Sequence, residues 1–240
     1  MIKAILFDLD GTLIQMSSAS FEKNIFAGYT ALAKKCGYDM TLFQNALHAG
    51  IKAMQENDGT HTNKTAFSTA FKSVYPKMNM AKMQRDFDKF YRNDFNDIKK
   101  GIKQNYDLRP VIKTLRKRHI KLVLTTNPVF PMVTAEMRLA WVNLTYQDFD
   151  YITAYDNSRH DKTKIGYYQH IIKHLGLKPD QILMIDNNME EASVAMSLGI
   201  HVYIVTDYLV NPARIDVNKF HHSTALELFT KFATPDSILS

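Results

Sequence analysis

Two aspartates, Asp8 and Asp10, stand in the run Phe7-Asp8-Leu9-Asp10-Gly11-Thr12-Leu13, directly behind the apolar stretch Ile2 to Leu6. Ionised carboxylates in a partly dry place are costly, and two close together are worse. A hard cation removes the conflict. Magnesium, which prefers carboxylate and water oxygens and commonly binds beside a substrate phosphate, is the natural candidate. The competing reading is a plain turn, because Asp, Gly and Thr are all turn residues. Three other places offer matching chemistry. Thr126 and Asn127 follow the apolar run Ile120 to Thr125 and can donate to the oxygens of an anion. Lys162 and Lys164 precede an amphipathic stretch, where a lysine could neutralise a phosphate or a negatively charged intermediate. Asp186 closes the run Ile182 to Ile185 and makes a third corner for a metal site, with Glu190 and Glu191 about one helical turn further on. The two glutamates also suit the first turn of a helix on dipole grounds alone.

The elements that must position these residues are legible as alternation. Ile2 to Phe7, Ile120 to Thr125, Asp150 to Ala154, Ile182 to Ile185 and His201 to Val205 are short apolar runs closed by polar or turn residues, as buried strands are. Stretches of helical spacing, among them Arg109 to Arg118, Lys164 to Leu175 and Met189 to Gly199, alternate with them. Strand and helix in alternation predict an α/β fold, a Rossmann-like parallel sheet with helices on both faces. In such a sheet ligands bind beyond the carboxyl ends of the strands, where the candidate residues stand. The interval from Met16 to Lys99 breaks the rhythm: it carries long amphipathic runs, such as Phe21 to Gly37 and Met80 to Phe95, around a polar turn at Asn57 to Asn63. Residues 16–99 therefore read as a helical insertion, and residues 1–15 with 100–240 as the α/β core. Beyond Asp207 a loop at Val210 to Asn218 and a terminal helix at Ala225 to Ala233 carry no evident chemistry.

Composition narrows the classes. With 240 residues, 45% hydrophobic and 22% charged, the chain is of ordinary globular composition, which excludes disordered and fibrous classes. No run approaches the ~18 apolar residues of a membrane span, and the apolar start is too short for a secretory signal, so a cytoplasmic location is expected. The single cysteine, Cys36, excludes an internal disulfide framework and a cysteine metal cluster, and reads as packing. A net charge of +6 is spread over scattered Lys and Arg without a basic and aromatic repeat, so a nucleic-acid partner is not expected.

Together the motifs resemble those of the haloacid dehalogenase superfamily of hydrolases over nearly the whole chain. Phe7 to Leu13 resembles its first motif, D-x-D-G-T; Leu122 to Pro128 its second, with Thr126 on the Ser or Thr position; Lys162 to Tyr168 its third, which selects Lys162 over Lys164. Ile185 to Ile200 is similar to the fourth, with Asp186 on the first acid, Glu191 on the second and Gly199 on the glycine. The resemblance implies a Mg-dependent phosphohydrolase acting on a small phosphorylated metabolite. Asp8 would be the nucleophile that forms an aspartyl-phosphate, and Asp10 the acid and base. Thr126 and Lys162 would hold the phosphoryl group, to which Asn127, read above as a donor, is the expected further contact. Asp8, the Asp10 carbonyl and Asp186 would hold Mg2+, with Glu191 supporting through water or Lys162. The insertion takes the place of the family's first type of cap, which closes over the substrate and sets specificity. Asp10 favours phosphoryl transfer over carbon–halogen cleavage, since the superfamily's dehalogenases lack this second acid.

Two departures from the pattern stand out: Ile185 replaces the usual glycine before Asp186, and Thr163 replaces the usual proline after Lys162. A bulky Ile185 that crowds the metal site would support a second reading, a non-catalytic protein that binds a phosphorylated ligand or another protein. A sugar-phosphate mutase and a receiver-like signalling domain are further alternatives. For specificity the insertion offers His61, Asn63 and Lys64, either as substrate contacts or as an exposed loop, while Phe67, Phe71, Phe87 and Phe90 read as its core.

Overall fold

The computed structural model describes residues 1–233. Six strands form one parallel sheet: β1 Ala4–Phe7, β2 Lys121–Leu124, β3 Tyr151–Ile152, β4 Ile182–Asp186, β5 His201–Val205 and β6 His221–Ser223. Their spatial order is β3-β2-β1-β4-β5-β6. The chain runs outward from β1 through β2 to β3, then crosses back to β4 on the other side of β1. The order therefore switches between β1 and β4, and a crevice opens there beyond their carboxyl ends. Asp8 follows β1 and Asp186 ends β4, so the switch point brings the two acids together.

Side chains alternate across the sheet with the period of two that a strand imposes. Ile5, Phe7, Leu183 and Ile185 join one core layer, with the helices α5 Arg109–Lys117, α6 Met132–Trp141 and α9 Ala225–Phe232. Ala4, Leu6, Ile182 and Met184 join the other, with α7 Ile165–Leu175 and α8 Met189–Ser197. The α/β class expected from the sequence is thus the one observed. β6 went unread because His221-His222-Ser223 is short, polar and largely exposed, an edge strand with no apolar pattern.

Between β1 and β2 the chain forms α1 Ser18–Cys36, α2 Met40–Gln55, α3 Asn63–Val74 and α4 Met80–Lys89, then a π turn over Phe90–Asp94 and a 3-10 turn over Phe95–Lys99. Ser17, Asp39, Thr62 and Asn79 each cap one of these helices, accepting an otherwise orphaned backbone N–H. The apolar faces of the insertion meet in an aromatic layer in which Tyr29, Phe43, Phe87, Phe90 and Tyr91 touch in succession. Among the described residues no helix is long and apolar enough to cross a membrane.

Candidate active site

β1 delivers Asp8 into the crevice, buried, with its backbone N–H donating to the Ile185 carbonyl at 2.9 Å. Its Oδ1 accepts from Lys162 Nζ at 2.8 Å. The same ammonium reaches Asp186 Oδ2 at 2.7 Å and Glu191 Oε2 at 2.6 Å. Lys162 is held there by its neighbours: Asp161 Oδ1 accepts from the Thr163 N–H at 2.9 Å and the Thr163 hydroxyl at 2.8 Å. The threonine that stands where the resemblance has a proline is thus fastened by hydrogen bonds instead of by a ring. Asp186 Oδ1 accepts from the Asn188 N–H at 2.8 Å, and the Asn188 side chain caps α8. That start of the helix turns Glu191 inward and leaves Glu190 exposed.

Three carboxylates thus share one ammonium, a buried cluster of net charge −2 when all are ionised. Burial opposes the charge on Lys162, but Asp186, Asp8 and Glu191 outweigh it and keep the lysine protonated well above its ordinary range. Burial pushes the carboxyl of Asp186 up, with Asp8 and Glu191 adding repulsion and Lys162 opposing. Ligand oxygens of Asp8, Asp186 and Glu191 all lie within 4.8 Å of one another. A hard, doubly charged cation fits such an all-oxygen donor set and would cancel the excess charge.

Asp10 takes a different partner. Its Oδ2 accepts from Arg138 Nη1 at 2.5 Å, while its Oδ1 is buried without a partner. The intervening Gly11 has φ 88°, and a Cβ there would lie 2.2 Å from the Asn187 side chain, so both backbone freedom and close approach require glycine. Arg138 is only 1% exposed. Its Nε donates to the Thr134 carbonyl at 3.2 Å, and its guanidinium lies over the rings of Phe21 and Phe130, 5.0 and 5.5 Å from their centroids. Nη2 is unpartnered. Burial pushes the Asp10 carboxyl up, and Arg138 works against it.

The end of β2 brings Thr126 and Asn127 to the cavity. Thr126 is buried, and its carbonyl is anchored by Thr153 Oγ1 at 2.9 Å and the Tyr167 hydroxyl at 3.2 Å. Asn127 Oδ1 is another buried atom without a partner. Asp8, Asp10, Thr126, Asn127, Lys162, Arg138 and Glu191 line a single cavity of about 420 Å³, which continues into the helical insertion; Asp186 sits behind Lys162.

The haloacid dehalogenase-like hydrolase family model matches residues 2–199, most of the chain. The chain is a haloacid dehalogenase-like hydrolase. No curated protein matched it. Among solved structures, the chain is similar to a protein of Thermotoga maritima described as a β-phosphoglucomutase, at 19% identity and TM-score 0.55, covering 95% of this chain and 97% of the other. It is similar to a phosphatase of the same superfamily from Thermococcus onnurineus, at 18% identity and TM-score 0.56, again covering 95% and 97%. It is similar also to an L-2-haloacid dehalogenase, at 16% identity and TM-score 0.57, covering 97% and 99%. Likeness at these identities concerns the fold, which a mutase, a phosphatase and a dehalogenase share; membership of the hydrolase family sets aside the receiver-like alternative.

In this hydrolase Lys164 is exposed and outside the cavity, while Lys162 is buried within it. Ile185 is fully buried in the core layer with Phe7 and Tyr203 and does not line the cavity, so the crowding that its size suggests is not seen. His61, Asn63 and Lys64 are not cavity residues either. Asn63 is not exposed: it is wholly buried, donating to the Pro128 carbonyl at 3.0 Å and accepting from Asn57 at 2.7 Å. Lys64 pairs with Asp156 at 3.0 Å. Phe71, Phe87 and Phe90 are core and Phe67 packs half-buried against it; Phe67 and Phe87 also line the cavity. Arg138 escaped the sequence reading, although a signal was present: it shares a helical stripe with Ala135, Leu139 and Val142, where a charge is out of place.

Proposed function

We propose that this hydrolase is a magnesium-dependent phosphohydrolase acting on a small phosphorylated metabolite in the cytoplasm, through an aspartyl-phosphate. The observation that carries the reading is the pair of acids with opposite engagements: Asp8 on Lys162, and Asp10 anchored at Oδ2 with Oδ1 free. In the first step the Asp8 carboxylate bonds to phosphorus, the ester bond breaks, and Asp10 gives its proton to the leaving oxygen. In the second, Asp10 takes a proton from water, whose oxygen bonds to phosphorus as the Asp8 bond breaks, releasing phosphate. Thr126 and Asn127 donate to the phosphoryl oxygens, and Lys162 offsets their charge. Magnesium, held by Asp8, the Asp10 carbonyl and Asp186 with Glu191 beside them on Lys162, would supply further charge compensation. Residues 16–99 would act as a cap that excludes water over residues 1–15 and 100–240. That Ile185 packs in the core layer and not in the cavity wall supports this reading over the non-catalytic alternative. The test is phosphate release from 4-nitrophenyl phosphate: it should require magnesium and fall at least about 10³-fold in Asp8→Asn. Turnover unaffected by that substitution would overturn the reading.

A further inference from the structure

The cavity extends far beyond what a phosphate needs. Above Asp8 and Asp10 its walls are Phe21, Phe26, Leu47, Ile51, Phe67 and Phe87, contributed by α1 to α4. The polar groups among these walls are mostly spoken for. The hydroxyls of Tyr29 and Tyr91 bond each other at 2.7 Å, and Gln84 donates to Asp88 at 3.1 Å. Glu22 and Gln55, which also line the cavity, are exposed, and Ser18 and Ser68 are half-buried. A sugar or other polyol would lose its water on entry and meet mostly ring and aliphatic surface, which disfavours it. A flat apolar group would gain both area and ring contacts.

From this we infer that the substrate is a phosphate monoester of an apolar, ring-bearing alcohol, and that Phe67 is a specificity-determining residue. Phe67 is well placed for the part. It lies on α3, half-buried, with its ring so close to Gly50 of α2 that a Cβ at Gly50 would meet it at 2.5 Å; the close helix packing fixes the ring against the cavity.

The naming of an ester rests on the phosphohydrolase reading, so the experiment separates the two. Turnover of 2-phenylethyl phosphate is compared with that of glycerol 3-phosphate; both release primary alcohols, so intrinsic reactivity is similar. A preference of about 10- to 100-fold in kcat/KM for the phenylethyl ester is expected, the scale of burying one phenyl group. Phe67→Ala should shrink that preference toward parity and Phe67→Leu should retain part of it. Calorimetric binding of 3-phenylpropylphosphonate, which cannot turn over, against methylphosphonate gives a readout independent of chemistry. Equal or better use of glycerol 3-phosphate overturns the inference and leaves the phosphatase reading standing. Tight phenylpropylphosphonate binding without hydrolysis of either ester overturns the phosphatase reading and supports the apolar cavity. Neither hydrolysis nor discrimination in binding overturns both.

Discussion

At the scale of single residues, the division of labour proposed for Asp8 and Asp10 rests on which cation each one meets. Asp8 shares Lys162 with two other carboxylates, whereas Asp10 has Arg138 to itself at one oxygen and offers the other. On the proposed mechanism Arg138 would be a positioning residue: it holds Asp10 through Oδ2 and leaves Oδ1 free to meet the leaving oxygen. Arg138→Lys keeps the charge but loses the planar fork that fixes this orientation. A general acid matters most when the leaving group is a poor one. We therefore expect kcat for 2-phenylethyl phosphate to fall about 10²-fold in Arg138→Lys, with KM little changed, while turnover of 4-nitrophenyl phosphate, whose leaving oxygen needs no proton, falls much less. Equal losses on the two esters would assign Arg138 to folding alone. Asp8, Thr126 and Asp186 could be picked out as candidates from the sequence because each closes or closely follows a strand, and strand ends are local features; Lys162, which stands before α7 and well beyond β3, was separated from Lys164 only by the motif resemblance. Arg138 could not be paired with Asp10 in the same way, since 128 positions separate them and only the folded packing of α6 against the crevice joins them.

At the scale of elements, the insertion is held together by more than its aromatic layer. Tyr38, in the link between α1 and α2, donates to Asp86 Oδ2 of α4, and Lys82 donates to the same oxygen at 2.7 Å, one turn earlier on the helix. These donors, Lys82 first and Tyr38 next, hold the Asp86 carboxyl down at about 2. A carboxyl depressed in the folded state favours folding above its ordinary value near 4, and loses that contribution as pH falls toward 2. Asp86→Asn should therefore cost on the order of 1 kcal/mol at pH 7, discounted because Lys82 is half exposed. Urea unfolding of the two proteins should converge between about pH 4 and pH 2; a difference independent of pH would remove the charge from the explanation. The insertion's helices were legible because amphipathic spacing of 3.6 is a strong local signal. The destinations of its polar residues were not. Asn63 lies in a run of turn residues that reads as an exposed loop, yet it is buried against Pro128, a contact decided by how α3 docks beside the end of β2.

At the scale of the whole molecule, the sheet order creates the electrostatic problem that the fold must carry. Placing β1 beside β4 gathers Asp8 and Asp186 at the switch point, and the start of α8 adds Glu191, so the folded chain concentrates negative charge that the unfolded chain disperses. Lys162 offsets only one of the three. A divalent cation that recognises this cluster has no equivalent site in the unfolded chain, so its binding must raise stability. At about 100 times its dissociation constant the gain is about 2.7 kcal/mol. For a chain of 240 residues each kcal/mol shifts Tm by about 2–4 °C, so magnesium should raise Tm by about 5–11 °C over chelator. Asp186→Asn removes one carboxylate of the cluster and should abolish most of that rise. Lys162→Met makes the opposite change, leaving three acids without their shared cation. It should lower Tm in chelator while preserving a magnesium response. Thermal melts of the three proteins with and without magnesium measure all of these at once. A rise that survives undiminished in Asp186→Asn would mean that the ion stabilises the chain somewhere other than at the switch point.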